Sequence, residues 1–132
     1  MARLYDAAMR VLLHGNLAPA VADALRAREE TVRQLADVGL QPGAPPDDVL
    51  TAAHNDNAEV LTTDPAMAKA LFDREDAPPK FARSIVYFQL EGGDVEQDDA
   101  VTRLFERYKR LTPGRLYTVT ASRVKVRQLP ST

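Results

Sequence analysis

The chain contains no cysteine and no tryptophan, and only two of its 132 residues are histidine. Without cysteine it can form neither a disulfide nor a thiolate metal site, and it has no cysteine nucleophile. Two histidines are too few for a zinc site built mainly from imidazoles. A bound metal would therefore need carboxylate oxygens for most of its ligands.

Long hydrophobic runs are absent as well. The longest apolar stretches, residues 11–13 and 85–88, are far shorter than the roughly 20 residues that span a bilayer, so no membrane span is predicted. Residues 1–6 carry one base but lead into no sustained apolar run, so a secretory signal is not indicated and a cytoplasmic location is expected. No Gly-rich phosphate loop and no Gly-x-Ser-x-Gly motif occurs, so P-loop enzymes and serine hydrolases find no support.

The composition is that of an ordinary globular protein, with 45% hydrophobic and 27% charged residues, and it predicts a folded domain rather than a disordered chain. The length fits one domain, so residues 1–132 are assigned to a single domain. The net charge of −2 gives no overall attraction to nucleic acid or anionic membranes. The charge is unevenly distributed, because residues 101–132 hold eight bases and one acid.

Apolar stretches with strand character alternate with stretches of helical periodicity along the chain. The predicted strands cover residues 10–13, 31–35, 58–63, 84–90, 115–120 and 123–129. Helices are predicted to begin near Pro19 and Asp64 and to cover residues 47–54 and 96–111, with loops over 39–46 and 73–80.

This alternation predicts an α/β fold, a single three-layer α/β/α domain with a C-terminal strand pair. The central sheet is expected to have four or five mostly parallel strands joined by right-handed crossovers, with the first and third strands adjacent at its centre. Sites in such sheets form beyond the carboxyl ends of the strands. His14 and Asp64 follow the first and third strands, so we expect them to approach each other.

Three short segments of the chain together resemble a known family. The segments read VLLHGNL at residues 11–17, DDVL at residues 47–50 and VLTTD at residues 60–64. They are similar to the small PIN-like proteins of bacteria and archaea, many of which resemble toxins of toxin–antitoxin pairs and carry a Mg²⁺- or Mn²⁺-dependent ribonuclease site. The resemblance extends over most of the chain, including the two basic strands at its end.

The resemblance implies an acidic site, and two acids of the family pattern are kept. Asp48 stands before Val49 at the start of the helix after the Pro-rich loop, and Asp64 ends the third segment. Asp48 and Asp64 are accordingly the implied catalytic residues and metal ligands. Asn16, which is also kept, and Thr63 are implied to lie in or near the site.

Two other acids of the family pattern are replaced. The first strand of the family ends in Asp-Glu-Asn, whereas this chain has His14 and Gly15 before Asn16. The family's Thr-x-Asp-x-Asp-Phe motif is matched by residues 62–67, with Ala66 at the second Asp. A Mg²⁺ or Mn²⁺ ion would be held by Asp48 and Asp64 with help from His14, and binding should be weak because hard cations prefer several oxygen ligands. The implied function is that of a toxin-like protein with weak or lost ribonuclease activity.

Each of these residues also has a purely structural interpretation. Asp64 can cap a helix, and Asp47 and Asp48 can simply complement the positive end of a helix dipole. His14 can be a hydrogen-bonded structural residue, and His54 can lie on the surface of a helix. If these interpretations hold, the chain is a non-enzymatic protein-interaction or regulatory domain.

The excess of bases near the C-terminus bears on the partners of the chain. Arg103, Arg107 and Arg110 are predicted to line one face of the last helix, where they could contact phosphates. The alternative is a solvated helix face beside an edge hairpin that its charges protect from aggregation. We favour a protein partner, either an antitoxin-like protein or a second copy of the chain, with RNA as a transient substrate at most.

Overall fold

Strands and helices alternate throughout residues 8–72 and 78–130, which are the residues that the computed structural model describes. The strands are β1 (Arg10–His14), β2 (Thr31–Arg33), β3 (Ala58–Thr62), β4 (Ile85–Phe88), β5 (Arg115–Val119) and β6 (Val124–Gln128). The helices are α1 (Pro19–Ala27), α2 (Pro46–Asn55), α3 (Ala66–Lys69) and α4 (Asp94–Arg107), and a 3-10 turn covers Leu35–Val38. Most of the predicted loop over residues 73–80, and the predictions on residues 1–6, lie outside the described residues.

All six strands form one sheet in the order β2-β1-β3-β4-β5-β6. The first five strands are parallel, and β6 returns antiparallel to β5 as the C-terminal strand pair. The α/β class, the mostly parallel sheet and the adjacency of the first and third strands are thus confirmed. The predicted number of four or five strands is wrong, because both β2 and β6 pair with the ends of the central sheet.

Helices cover both faces of this sheet and make three layers. On one face, α1 and α4 bury residues such as Leu25 and Leu104 against the strands. On the other face, α2 and α3 bury Leu50 and Met67. Strand β3 is buried at every position, as expected for a parallel strand that is covered on both sides.

The connection through α4 departs from the predicted topology. The steps from β3 to β4 and from β4 to β5 run in the same direction along the sheet, but α3 and α4 lie on opposite faces. Two parallel crossovers of this kind have opposite hands, so the prediction that all crossovers are right-handed is wrong. The physical reason is burial, because α4 packs beside α1 on the face of the sheet that carries Val86, Phe88 and Tyr117.

Helix α4 also ends earlier than predicted, at Arg107 instead of residue 111. Tyr108 has an extended backbone, and its ring packs edge-on against the ring of Tyr117 at a centroid distance of 5.2 Å. Outside the helix Tyr108 packs against the core and Leu111 is buried in it. Arg110 therefore does not lie on the helix face that carries Arg103. No helix of the described residues is long and apolar enough to cross a membrane.

Candidate functional site

The carboxyl ends of β1 and β3 meet at His14 and Thr62, which are register partners in the parallel ladder. The imidazole Nδ1 of His14 lies 2.8 Å from Thr62 Oγ1. The same hydroxyl oxygen accepts the backbone N–H of Asp64 at 3.0 Å. One threonine hydroxyl thus joins His14 to the start of the segment that carries Asp64. The sequence pattern placed the two ends together but gave Thr62 no role.

Burial favours the neutral form of His14. The residue is only 9% exposed, and this burial lowers its pKa below the value near 6.5 of an exposed histidine, although the nearby negative charge of Asp64 opposes the shift. The Thr62 hydroxyl can donate its proton to an unprotonated Nδ1 or accept the proton of Nδ1, because a hydroxyl that accepts the Asp64 N–H keeps a second lone pair. In the first case the ring proton of the neutral imidazole is on Nε2.

Gly15 occupies the position at which the family pattern has a second acid. Its φ of +90° lies in the left-handed region, and a Cβ at this position would collide with Thr63 Oγ1. That hydroxyl accepts the backbone N–H of Asn16 at 2.8 Å, which ties the end of β1 to the residue after β3. A side chain at position 15 would strain this turn, so the turn disfavours a metal-binding acid there.

A buried glutamine of α4 completes the turn. The side-chain nitrogen of Gln97 donates to the carbonyl oxygen of Asn16 at 3.1 Å, and its side-chain oxygen accepts the N–H of Ala18 at 2.7 Å. Gln97 was missed in the sequence. The sequence does contain an indication of its burial. Gln97 stands four residues before Val101, so it lies on the apolar face of the helix although it is polar.

Asp64 uses one carboxylate oxygen to organise the next turn. Its Oδ1 accepts the N–H of Ala66 at 2.9 Å, a local bond of the kind that Asp makes in turns. The N-cap of α3 is Pro65, and no side chain caps the helix, so Asp64 is not its cap residue. The helix that follows, α3, is only four residues long. Ala66, at the position of the second Asp of the family motif, is exposed and offers no ligand atom.

Asp48 faces a different part of the surface. It is exposed in the first turn of α2 and lines a cleft of about 480 Å³ together with Arg33 and Asp56. His14 and Asn16 line another cleft of about 680 Å³, between the end of β1, α1 and the 3-10 turn. The structure therefore brings together His14, Asn16, Thr63 and Asp64 through the hydroxyls of Thr62 and Thr63. It places Asp48 in a neighbouring cleft, which borders the cleft of His14 at Leu40.

The residues at the ends of β1 and β3 do not fit a Mg²⁺ site. Within residues 8–72 and 78–130, no group of three or more histidines and acids is arranged to hold a metal ion. The Nδ1 atom of His14 is engaged by Thr62, and one oxygen of Asp64 is engaged by Ala66. Mg²⁺ takes about six oxygen ligands in octahedral geometry, commonly from one or two carboxylates with water at the other positions, and here a single carboxylate of the described residues, that of Asp64, lies near His14.

The predicted phosphate-contacting arginines do not form a continuous stripe. Arg103 is half-buried, and its Nη2 donates to the carbonyl oxygen of Thr120 at 2.7 Å, so it anchors the turn between β5 and β6. The Arg107 guanidinium lies 6.0 Å from the ring of Tyr108. Arg110 follows the end of α4 and is exposed.

The remaining candidates from the sequence, His54 and Asp47, both lie on α2. His54, in the last turn of α2, accepts the N–H of Ala82 through Nδ1 at 3.3 Å and so helps to position the segment before β4. Asp47 lies in the first turn of α2 and is half-buried.

Comparison with protein-family models, with curated proteins and with solved structures gives no match for the chain. The resemblance to PIN-like proteins therefore stays a prediction that rests on the three sequence segments.

Proposed function

We propose that the chain is a cytoplasmic PIN-like protein of the toxin type in which metal-dependent ribonuclease activity is weak or lost. The observation that carries the proposal is the turn at Gly15. Its left-handed backbone and its contact with Thr63 occupy the position from which an acid would reach a metal. The polar groups at this position are instead joined by hydrogen bonds of the Thr62 and Thr63 hydroxyls and of the Gln97 side-chain amide.

The chemistry of the remaining donors supports the same proposal. A two-metal or one-metal nuclease site needs clustered carboxylates that hold the ion and activate water. Here Asp64 is engaged with the N–H of Ala66, and Asp48 lines another cleft. We infer that any residual binding of Mg²⁺ or Mn²⁺ is weak, and that RNA is a transient substrate at most. The main partner would be an antitoxin-like protein or a second copy of the chain.

A cleavage assay tests this proposal. The wild-type protein is incubated with single-stranded RNA and either Mn²⁺ or Mg²⁺, beside Asp64→Asn, Ala66→Asp and the double variant His14→Asp/Ala66→Asp. We expect little or no cleavage by the wild type, and a gain from the double variant because it returns two oxygen ligands next to Asp64. Strong metal-dependent cleavage by the wild type that Asp64→Asn abolishes would contradict the proposal.

The matched control for Asp64→Asn is Asp94→Asn, which removes an exposed acid in the first turn of α4. Any residual cleavage should be unchanged in this control. Cleavage that survives both substitutions would instead point to a contaminating nuclease, and a second purification would then have to remove it.

The second candidate function is a non-enzymatic protein-interaction or regulatory domain. It is favoured by the bond from the Ala66 N–H to Asp64 Oδ1, because this bond gives the Asp64 carboxylate a role in the turn that needs no metal ion. Calorimetric titration with Mn²⁺ separates the two candidates. Weak heat in the wild type that Asp64→Asn removes supports a degraded nuclease, whereas no heat and no cleavage in any variant leaves the interaction domain.

A further inference from the structure

Strand β6 forms one end of the sheet and pairs only with β5 among the described strands. The turn before it is closed by the Thr120 N–H, which donates to the Arg123 carbonyl, and the strand ends where the Leu129 N–H donates to the Gly114 carbonyl. Hydrogen-bonded and non-hydrogen-bonded pairs alternate in an antiparallel ladder. In this register the N–H and C=O groups of Val124, Val126 and Gln128 point away from β5.

The side chains of this edge are sorted by chemistry. Arg123, Lys125 and Arg127 lie on the face of the sheet that carries α3, and the Arg127 guanidinium stacks 4.3 Å from the ring of Phe72. On the opposite face, Val124 packs at the border of the core and Val126 is 37% exposed. No acidic residue follows position 106 in the whole sequence.

We propose that β6 is a docking edge for an extended segment of another protein in which acidic and apolar residues alternate. Main-chain bonds to Val124, Val126 and Gln128 would add this segment to the sheet as a further strand. Residues directly opposite each other in a ladder share a face. Acids of the segment therefore meet Lys125 and Arg127, while its apolar residues lie beside the two valines.

A second copy of the chain does not fit this edge. If two β6 strands paired antiparallel about Val126, Lys125 of each copy would lie opposite Arg127 of the other. Like charges directly opposite each other destabilise such a ladder, and basic residues on edges commonly prevent this self-pairing. The same charges attract an acidic segment.

Single-stranded RNA is also acidic, but the edge lacks the features that bind it. Such binding uses aromatic side chains on which bases stack, and β6 has the sequence VKVRQ. The outward groups of β6 include carbonyl oxygens as well as N–H groups, and these carbonyls can be satisfied by the N–H groups of a peptide strand. The inference does not rest on the proposed function, because it uses only the outward main-chain groups and the side chains of β6.

Fluorescence anisotropy with a labelled seven-residue peptide in which valine and glutamate alternate tests the proposal. We expect the full-length protein to bind it, with binding that weakens as salt increases. Lys125→Glu/Arg127→Glu should weaken binding by roughly tenfold or more at low salt, which corresponds to a free energy of about 1.4 kcal/mol. The same variant should bind a peptide of alternating valine and lysine better than the wild type does.

Two controls separate strand pairing from general charge attraction. Lys69→Glu reverses an exposed base on α3 and should leave binding nearly unchanged. A peptide of the same composition in which the valines and glutamates are grouped in two blocks should bind much more weakly.

The role of the main chain is tested from both sides of the interface. Val126→Pro removes an outward N–H, and N-methylation of alternate peptide residues removes the matching donors while the protein stays unaltered. Both changes should abolish binding. The proposal is overturned if neither peptide binds, if the blocked peptide binds equally well, if N-methylation has no effect, or if an RNA oligomer binds more tightly at the same edge.

Discussion

Each end of β3 has a carboxylate, and the two differ in their burial and in their hydrogen-bond partners. Glu59, at the second position of the strand, is completely buried, and its two oxygens accept from Nε and Nη2 of Arg83 at 3.0 and 3.1 Å. Asp64 lies two residues beyond the other end of the strand and is half-buried. It lies near His14 and accepts one hydrogen bond, from the backbone N–H of Ala66. The carboxylate of Glu59 is therefore paired with the positive charge of Arg83, whereas that of Asp64 is hydrogen-bonded to an uncharged backbone amide.

The two carboxylates differ in what compensates their charge. A buried charge is tolerated only when it is paired and hydrogen-bonded, so Glu59 and Arg83 depend on each other. The end that carries Asp64 keeps its polar groups near the surface and uses the hydroxyls of Thr62 and Thr63 to hold them. Parallel sheets usually carry their sites at this carboxyl end.

Breaking the ion pair at the start of β3 should have the largest effect. We expect Arg83→Met to lower the free energy of unfolding by about 3–5 kcal/mol, because Glu59 then remains buried without a cation. Chemical denaturation followed by circular dichroism measures this loss. The double variant Glu59→Leu/Arg83→Met should recover most of it, because no charge is left in the interior.

The matched control is Arg10→Met. Arg10 also bonds a carboxylate, that of Asp56, at 3.0 Å, but its side chain is 52% exposed and Arg33 holds the same carboxylate. We expect a loss of less than about 1 kcal/mol. If Arg83→Met and Arg10→Met were equally mild, the buried pair of Glu59 and Arg83 would stabilise the protein no more than an exposed ion pair does.

Much of the fold could be predicted from the sequence because strand and helix periods follow burial. The strand at Ala58–Thr62 is apolar enough to identify, and Pro19 and Pro46 mark helix starts. The face on which α4 packs could not be predicted, because it depends on the fit between α4 and α1 across the sheet. The end of α4 at Arg107 depends in the same way on the contact between Tyr108 and Tyr117.

The second prediction concerns the turn at Gly15, at the carboxyl end of the parallel strands. Gly15→Ala should destabilise the protein by about 1–3 kcal/mol, because alanine at a φ of +90° is strained and its Cβ meets Thr63. Thermal and chemical denaturation measure this effect. Gly43→Ala is the control, since a Cβ at that loop position has open space around it.

The change at Gly15 also sharpens the comparison of the two ends. In the double variant Gly15→Ala/Thr63→Ala the clash with Oγ1 is relieved, but the bond from the Asn16 N–H is lost as well. The double variant should therefore lose less stability than the sum of the two single losses. A Gly15→Ala variant as stable as Gly43→Ala would mean that the turn easily adopts another conformation, and an acid at position 15 would then be compatible with it.

The candidate site was predicted only in part. The approach of His14 to Asp64 follows from the adjacency of their strands, which the sequence pattern indicates. The roles of Thr62 and Gln97 depend on hydrogen bonds between segments 48 and 81 residues apart, and no local pattern encodes such pairs. Asp48 was grouped with Asp64 by resemblance, but the orientation of α2 turns it toward Arg33 and Asp56.

The smallest expected effect is the pH dependence that His14 gives to stability. Burial lowers the pKa of His14 in the folded protein, so below about pH 6.5 the unfolded chain binds a proton that the folded protein does not. The contribution of His14 is therefore complete above that pH and is lost as the pH falls toward its lowered pKa. In His14→Gln, urea denaturation between pH 8 and pH 5 should show a weaker loss of stability on acidification than in the wild type. The negative charge of Asp64 opposes the shift, so Asp64→Asn should lower the pKa of His14 further and make the loss steeper. An identical pH dependence in the wild type and His14→Gln would show that this end of the sheet, unlike the end at Glu59, places no constraint on the charge of its buried group.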